Sequence, residues 1–73
     1  MEFLKKRVRQ YQEKKLQEAL DKIEFHKTVK KNLEESDNQD NKIIKEIALH
    51  DKMIHVWQNN YEKIRNEMKK IGD

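Results

Sequence analysis

The chain lacks the residues that interrupt helices and reverse strands. Its 73 residues include no proline and a single glycine, Gly72. A sheet fold needs turn residues at intervals of roughly ten positions, because each strand is short and each reversal favours glycine, proline or asparagine. Long segments without such residues are typical of helices. The sequence therefore predicts an all-α protein.

Two further absences narrow the class of protein. There is no cysteine, which excludes a disulfide scaffold and a thiolate metal site. Apolar runs are only two or three residues long, so we expect neither a membrane-spanning helix nor a signal-peptide core. We expect a soluble, cytoplasmic protein of one domain, residues 1–73, since a chain this short builds one core at most.

The middle of the chain predicts the one break between helices. Residues 34–41 hold four acidic side chains and neither a basic nor an apolar one. Such residues compete with the helical backbone for hydrogen bonds. We expect helix 1 over about 2–34, a turn over about 35–38 and helix 2 over about 38–71. Ser36 or Asp37 would cap helix 2, with Gln39 or Asp40 closing a capping box. The alternative is one continuous helical rod.

Helix 2 carries the strongest pattern in the sequence. Nine residues follow one another at alternating spacings of four and three, and eight of them are apolar or aromatic. This heptad repeat is the pattern of a coiled-coil seam. The seam residues are Ile43, Ile47, His50, Ile54, Trp57, Tyr61, Ile64, Met68 and Ile71.

Helix 1 has a less regular seam that matches helix 2 when the chain folds back on itself. After one five-residue step, the predicted seam is Met1, Leu4, Val8, Tyr11, Leu16, Ala19 or Leu20, Ile23, His26, Val29 and Leu33. In a hairpin whose paired residue numbers add to about 76, His26 meets His50 and Ala19 meets Trp57. This pairing predicts an antiparallel, coiled-coil-like hairpin.

Helix 2 is also apolar outside its seam. Leu49, Met53 and Val56 form a second stripe that a single partner helix cannot cover. A hairpin of this size has a thin core, so we expect it to associate, most simply as a homodimer forming a four-helix bundle. The predicted partner-binding residues are this stripe together with Trp57 and Tyr61, which at seam positions are alternatively core residues.

Basic residues near the start of helix 1 suggest a second function. Lys5, Lys6, Arg9 and Lys15 are candidates for contacts with RNA or DNA phosphates, although the basic residues wrap around the helix and the net charge is only +3. The same stretch is amphipathic, but the hairpin register assigns its apolar side to helix 2. We therefore expect no membrane binding.

The remaining candidates for chemistry are few. A layer formed by His26 and His50 admits three interpretations: a structural polar layer, a pH-sensitive contact or a metal site. Acidic pairs lie in or beside the solvated turn, and Ser36 has no neighbouring base. We therefore expect no enzymatic activity, no cofactor and no resident metal.

The sequence favours an interaction module, such as an adaptor, co-chaperone, antirepressor or scaffold subunit, that binds itself or another helical protein. A nucleic-acid-binding regulator is the alternative.

Overall fold

A computed structural model describes residues 2–72 of the chain and the side chains of residues 2–70. Helix α1 spans Glu2–Glu34 and helix α2 spans Asn41–Gly72. The helices pack against each other along a hairpin with extents of 57 × 14 × 14 Å. The all-α, two-helix fold is thus confirmed, and the alternative of a continuous rod is wrong.

The start of α2 differs from the prediction. The helix begins at Asn41 and not near residue 38, because Asp40 is its N-cap. The Asp40 carboxylate accepts a hydrogen bond from the backbone N–H of Ile43 at 2.9 Å, and its carbonyl accepts one from Ile44 at 3.0 Å. An aspartate in this position satisfies an N–H group that would otherwise lack a partner. The connection between the helices is therefore longer than predicted, covering residues 35–40.

The residues predicted to cap α2 instead form hydrogen bonds in the connection that follows α1. The Gln39 side-chain amide donates to the carbonyl oxygens of Leu33 and Ser36, both at 2.9 Å. The Ser36 hydroxyl accepts a hydrogen bond from the backbone N–H of Asn38 at 3.3 Å. The first bond satisfies the Leu33 carbonyl in the last turn of α1, which has no partner within the helix, and the other two lie within the connection between the helices. Ser36 and Gln39 therefore stabilise the turn and do not form a capping box.

The seam of α2 agrees with the heptad prediction. The eight seam residues whose side chains are described, from Ile43 to Met68, are all buried or partly buried. Ile54 is the most deeply buried of them, with 6% of its surface exposed. Ile71, the ninth predicted seam residue, lies outside the described side chains.

The seam of α1 is more regular than predicted and begins later. It keeps an unbroken heptad through Gln12, Leu16, Ala19, Ile23, His26, Lys30 and Leu33, all of them buried or partly buried. Continued toward the N-terminus, this repeat reaches Arg9 and Lys5. Both are charged, and every residue from 2 to 11 is exposed. The predicted seam positions Leu4, Val8 and Tyr11 were therefore wrong, and Met1 lies outside the described residues.

Candidate protein-interaction surface

The heptad repeat defines two flanks of the hairpin, one on each side of the seam. In an antiparallel pair, equivalent heptad positions of the two helices lie on the same flank. One flank carries the residues that immediately precede the positions of the seam repeat, for example those before Gln12 and His26 on α1 and those before His50 and Trp57 on α2. We call it the apolar flank. Its exposed apolar residues are Leu4, Val8, Tyr11, Phe25, Leu49 and Val56, six of the nine large exposed apolar side chains in the described part of the chain.

The predicted second stripe of α2 lies on the apolar flank. Leu49 is 54% exposed and Val56 is 43% exposed, and they are seven residues apart on one line of the helix. Met53 lies between them and is partly buried beside the seam. The structure therefore brings the three residues together on a surface that α1 does not cover.

Trp57 and Tyr61, the other two predicted partner-binding residues, lie in the seam and are partly buried. The indole Nε1 of Trp57 is buried and has no hydrogen-bond partner among the described residues. An unsatisfied buried donor destabilises a fold. The hairpin itself therefore covers much of these two aromatic side chains, and Trp57 leaves one donor unpaired.

Phe25 belongs to the same surface, although the sequence analysis did not identify it. Its ring is 57% exposed and contacts the ring of His26 edge-on, with centroids 5.2 Å apart. It lies on α1 outside the seam, and its apolar neighbour one turn on, Val29, was assigned to the seam. The available signal was its position immediately before His26, which matches the position of Leu49 immediately before His50.

The hairpin exposes more surface than a compact protein of its mass. Its accessible surface is 6233 Å². A folded monomer of this mass exposes about 4,900 Å², which is roughly 1,300 Å² less. Only Ala19, Ile23 and Ile54 are buried among the described apolar residues. Neither helix, over the described residues, has an apolar stretch long enough to cross a membrane.

The predicted meeting of His26 and His50 is confirmed. Their Nδ1 atoms lie 2.8 Å apart and their ring centroids 5.1 Å apart. At this distance one Nδ1 carries the hydrogen and donates, while the other accepts. The pKa of His26 is below its ordinary value of 6.5, mainly because burial disfavours the charged ring, and also because His50 and Lys22 repel the added charge. The contact is therefore formed by imidazoles that do not both carry a positive charge.

An ion pair lies next to the histidines. Lys30 Nζ donates to the Asp51 carboxylate at 2.8 Å, which raises the pKa of Lys30 and lowers that of Asp51. Asp51 also contacts His55 on the same helix. His55 Nδ1 lies 2.8 Å from the carbonyl oxygen of Asp51 and 3.9 Å from its carboxylate. Across the described residues, no three side chains of metal-binding type come together.

The candidate nucleic-acid residues lie where the hairpin is most open. Lys5, Lys6 and Arg9 are exposed, and Lys15 is partly buried. Lys15 lies 3.5 Å from the Glu18 carboxylate, and its Nζ lies 5.5 Å from the centroid of the Tyr11 ring. The structure therefore places these four residues on one helix but does not gather them around a common point.

Together these features define the class of molecule as an antiparallel helical hairpin with a coiled-coil seam and one apolar flank. Comparisons with protein-family models, curated proteins and solved structures found no match.

Proposed function

We propose that the chain is a non-enzymatic protein–protein interaction module that acts through its apolar flank, as an adaptor, co-chaperone, antirepressor or scaffold subunit does. The observation that carries the proposal is the exposure of Leu49 and Val56 beside the partly buried Met53. Exposed apolar residues scattered singly are normal, but a group on one face marks an interaction site.

The simplest partner is a second copy, with two hairpins forming a four-helix bundle. A standard interface buries about 600–1,000 Å² on each partner. The excess surface of this hairpin, roughly 1,300 Å², is larger than that share. Self-association would thus cover the apolar flank and thicken a core that contains three buried side chains. Another helical protein is the alternative partner, and a cytoplasmic location remains a prediction.

The test is the solution mass of the purified chain, measured by light scattering with circular dichroism. We expect a helical dimer of about 18 kDa, twice the 9.0 kDa of one chain. Leu49→Lys with Met53→Lys should return it to the monomer mass. The matched control is Ile44→Lys with Ala48→Lys, which makes the same change at the same spacing on the opposite flank. A dimer that survives the first pair of substitutions contradicts the proposal.

A milder variant guards against simple unfolding, because Met53 also supports the seam. Leu49→Ser with Val56→Ser changes only exposed residues. It should lose the dimer while keeping the circular dichroism signal of the hairpin.

The second candidate is nucleic-acid binding, which is favoured by the exposure of Lys5, Lys6 and Arg9. It predicts binding to RNA or DNA that weakens steeply with salt, because bound cations are released from phosphates. Lys5→Ala with Arg9→Ala and Lys15→Ala should weaken it. The control removes three lysines of α2 instead, Lys42, Lys45 and Lys52. Absence of binding at low salt, or equal loss in both variants, contradicts this candidate.

A further inference from the structure

On the apolar flank, the exposed apolar residues nearest the turn come from both helices and lie at similar distances from it. Counted from position 38 at the turn, Phe25 is thirteen residues away on α1, while Leu49 and Val56 are eleven and eighteen residues away on α2. Met53 and Val29 are partly buried at the inner edge of the same group. At 1.5 Å per residue, the group covers a stretch of only about 14 Å. We call these five residues the turn cluster.

We infer that the turn cluster binds the turn cluster of a second copy, with the two turns at the same end of the dimer. In that arrangement, α1 of each hairpin lies over α2 of the other. Phe25 and Val29 of one copy then meet Leu49, Met53 and Val56 of the second copy at the same height. This inference rests on the proposed function and adds the orientation of the dimer and a contact role for Phe25.

Two features favour this orientation. It places the apolar residues of α1 in one copy against the apolar residues of α2 in the other, and a second copy of the chain presents both groups. The hairpins also overlap along their full 57 Å length, so that more of the excess surface is covered. Opposed turns with the clusters still in contact would leave both open ends overhanging.

Lys22 is a charged residue on the apolar flank, within the range of the turn cluster. It lies on the same line of α1 as Val29, seven residues earlier, and is exposed. Its long apolar stem can lie along the interface while its ammonium group reaches water. Replacing it with leucine should therefore tighten the dimer about tenfold or more, which is the effect of one well-buried side chain.

The orientation is tested with a label at the turn. The chain has no cysteine, so Asn38→Cys gives a single attachment site for a spin label. With aligned turns, helix axes about 10 Å apart place the two labels within about 25 Å. With opposed turns centred on Phe25, the labels would be about 40 Å apart or more. A distance in the longer range overturns the aligned arrangement but leaves self-association intact.

The role of Phe25 is tested by introducing a charged side chain at this position. Phe25→Glu should weaken the dimer at least tenfold, while Leu20→Glu, an exposed residue on the opposite flank of the same helix, should not. If Phe25→Glu keeps the dimer and Leu49→Lys with Met53→Lys loses it, the contact role of Phe25 is wrong and the proposed function stands. A wild-type chain that stays monomeric at millimolar concentration overturns both.

Discussion

The two halves of the hairpin contain similar apolar residues and use them differently. In the turn half, formed by residues 16–33 and 43–60, apolar residues of α1 occupy most seam positions, and two of them, Ala19 and Ile23, are buried. In the open half, formed by residues 2–15 and 61–70, α1 carries apolar residues at the same spacings, but all positions from 2 to 11 are exposed.

The difference lies in the phase of the pattern and not in its composition. The unbroken heptad of the turn half continues to Arg9 and Lys5, whereas Leu4, Val8 and Tyr11 fall on the apolar flank. Burying them against α2 would require turning the helix and breaking the seam of the turn half. The longer, better-filled seam therefore sets the phase of the whole of α1.

The largest effect is expected from shortening a core side chain in the turn half. Ile54→Ala should lower the free energy of unfolding by about 2–4 kcal/mol, through lost burial and the cavity that remains. The measurement is urea unfolding followed by circular dichroism. Val8→Ala in the open half should change stability by about 0.5 kcal/mol or less, because Val8 is already 41% exposed. Equal losses would mean that the halves are equally packed.

A second prediction concerns Arg9, a charged residue at a position of the seam repeat in the open half. Arg9→Leu places an apolar side chain at a seam position and should raise the free energy of unfolding by about 1 kcal/mol. Amide hydrogen exchange should also slow around residues 5–12. In the wild type most of these residues are exposed, and in the variant the new leucine would pack against α2. The control is Arg7→Leu, which is also exposed but points away from the seam. If both variants behave alike, added hydrophobicity and not phase explains the gain.

The sequence was sufficient to predict the features that depend on an unbroken repeat. The heptad of α2 predicted its seam from Ile43 to Met68, and the register of the hairpin predicted the contact of His26 with His50; both are confirmed. Periodicity is reliable here because each seam residue is supported by neighbours three and four positions away.

The sequence was insufficient where several residues met the same local requirement. Ser36, Asp37 and Asp40 are all good helix caps, and only the path of the chain selects Asp40. The five-residue step placed in α1 was wrong because Gln12 and Lys30 occupy seam positions that a search for apolar residues skips. Phe25 was missed because its apolar neighbour one turn on, Val29, was assigned to the seam, which left Phe25 without a stripe.

A third prediction concerns acid and the histidine layer of the turn half. The pKa of His26 in the folded chain is below 6.5, so the unfolded chain binds more protons as the pH falls below that value. Stability should therefore decrease from just below pH 6.5, and the loss should level off below the folded-state pKa.

The groups around the layer do not reverse this sign. Lys22 and His50 both oppose the protonation of His26, while Asp51 is engaged by Lys30. The control is His26→Phe, which keeps a ring and removes the titrating group. Between pH 7 and 5, this variant should lose less stability than the wild type, because it lacks the contribution of His26. If it keeps the acid sensitivity of the wild type, another group is responsible.

The smallest effect is expected at Lys30, the basic seam residue of the turn half and the counterpart of Arg9 in the open half. Lys30 differs from Arg9 because it has a partner, Asp51, but both side chains of the pair remain partly exposed. Such pairs contribute little to stability, since water and salt screen them. Lys30→Met removes the pair and adds an apolar seam residue, so the unfolding midpoint at pH 7 should stay within error of the wild type.

The Lys30→Met variant should differ from the wild type in acid. The lowered pKa of Asp51 stabilises the wild type above its ordinary value of 3.8, and this contribution is lost as the pH falls through the folded-state pKa. Lys30→Met should lack that last acid-sensitive step, whereas Lys31→Met, one residue along and exposed, should keep it. A large loss of stability in Lys30→Met at pH 7 would show that the ion pair, and not the apolar seam, holds this part of the turn half together.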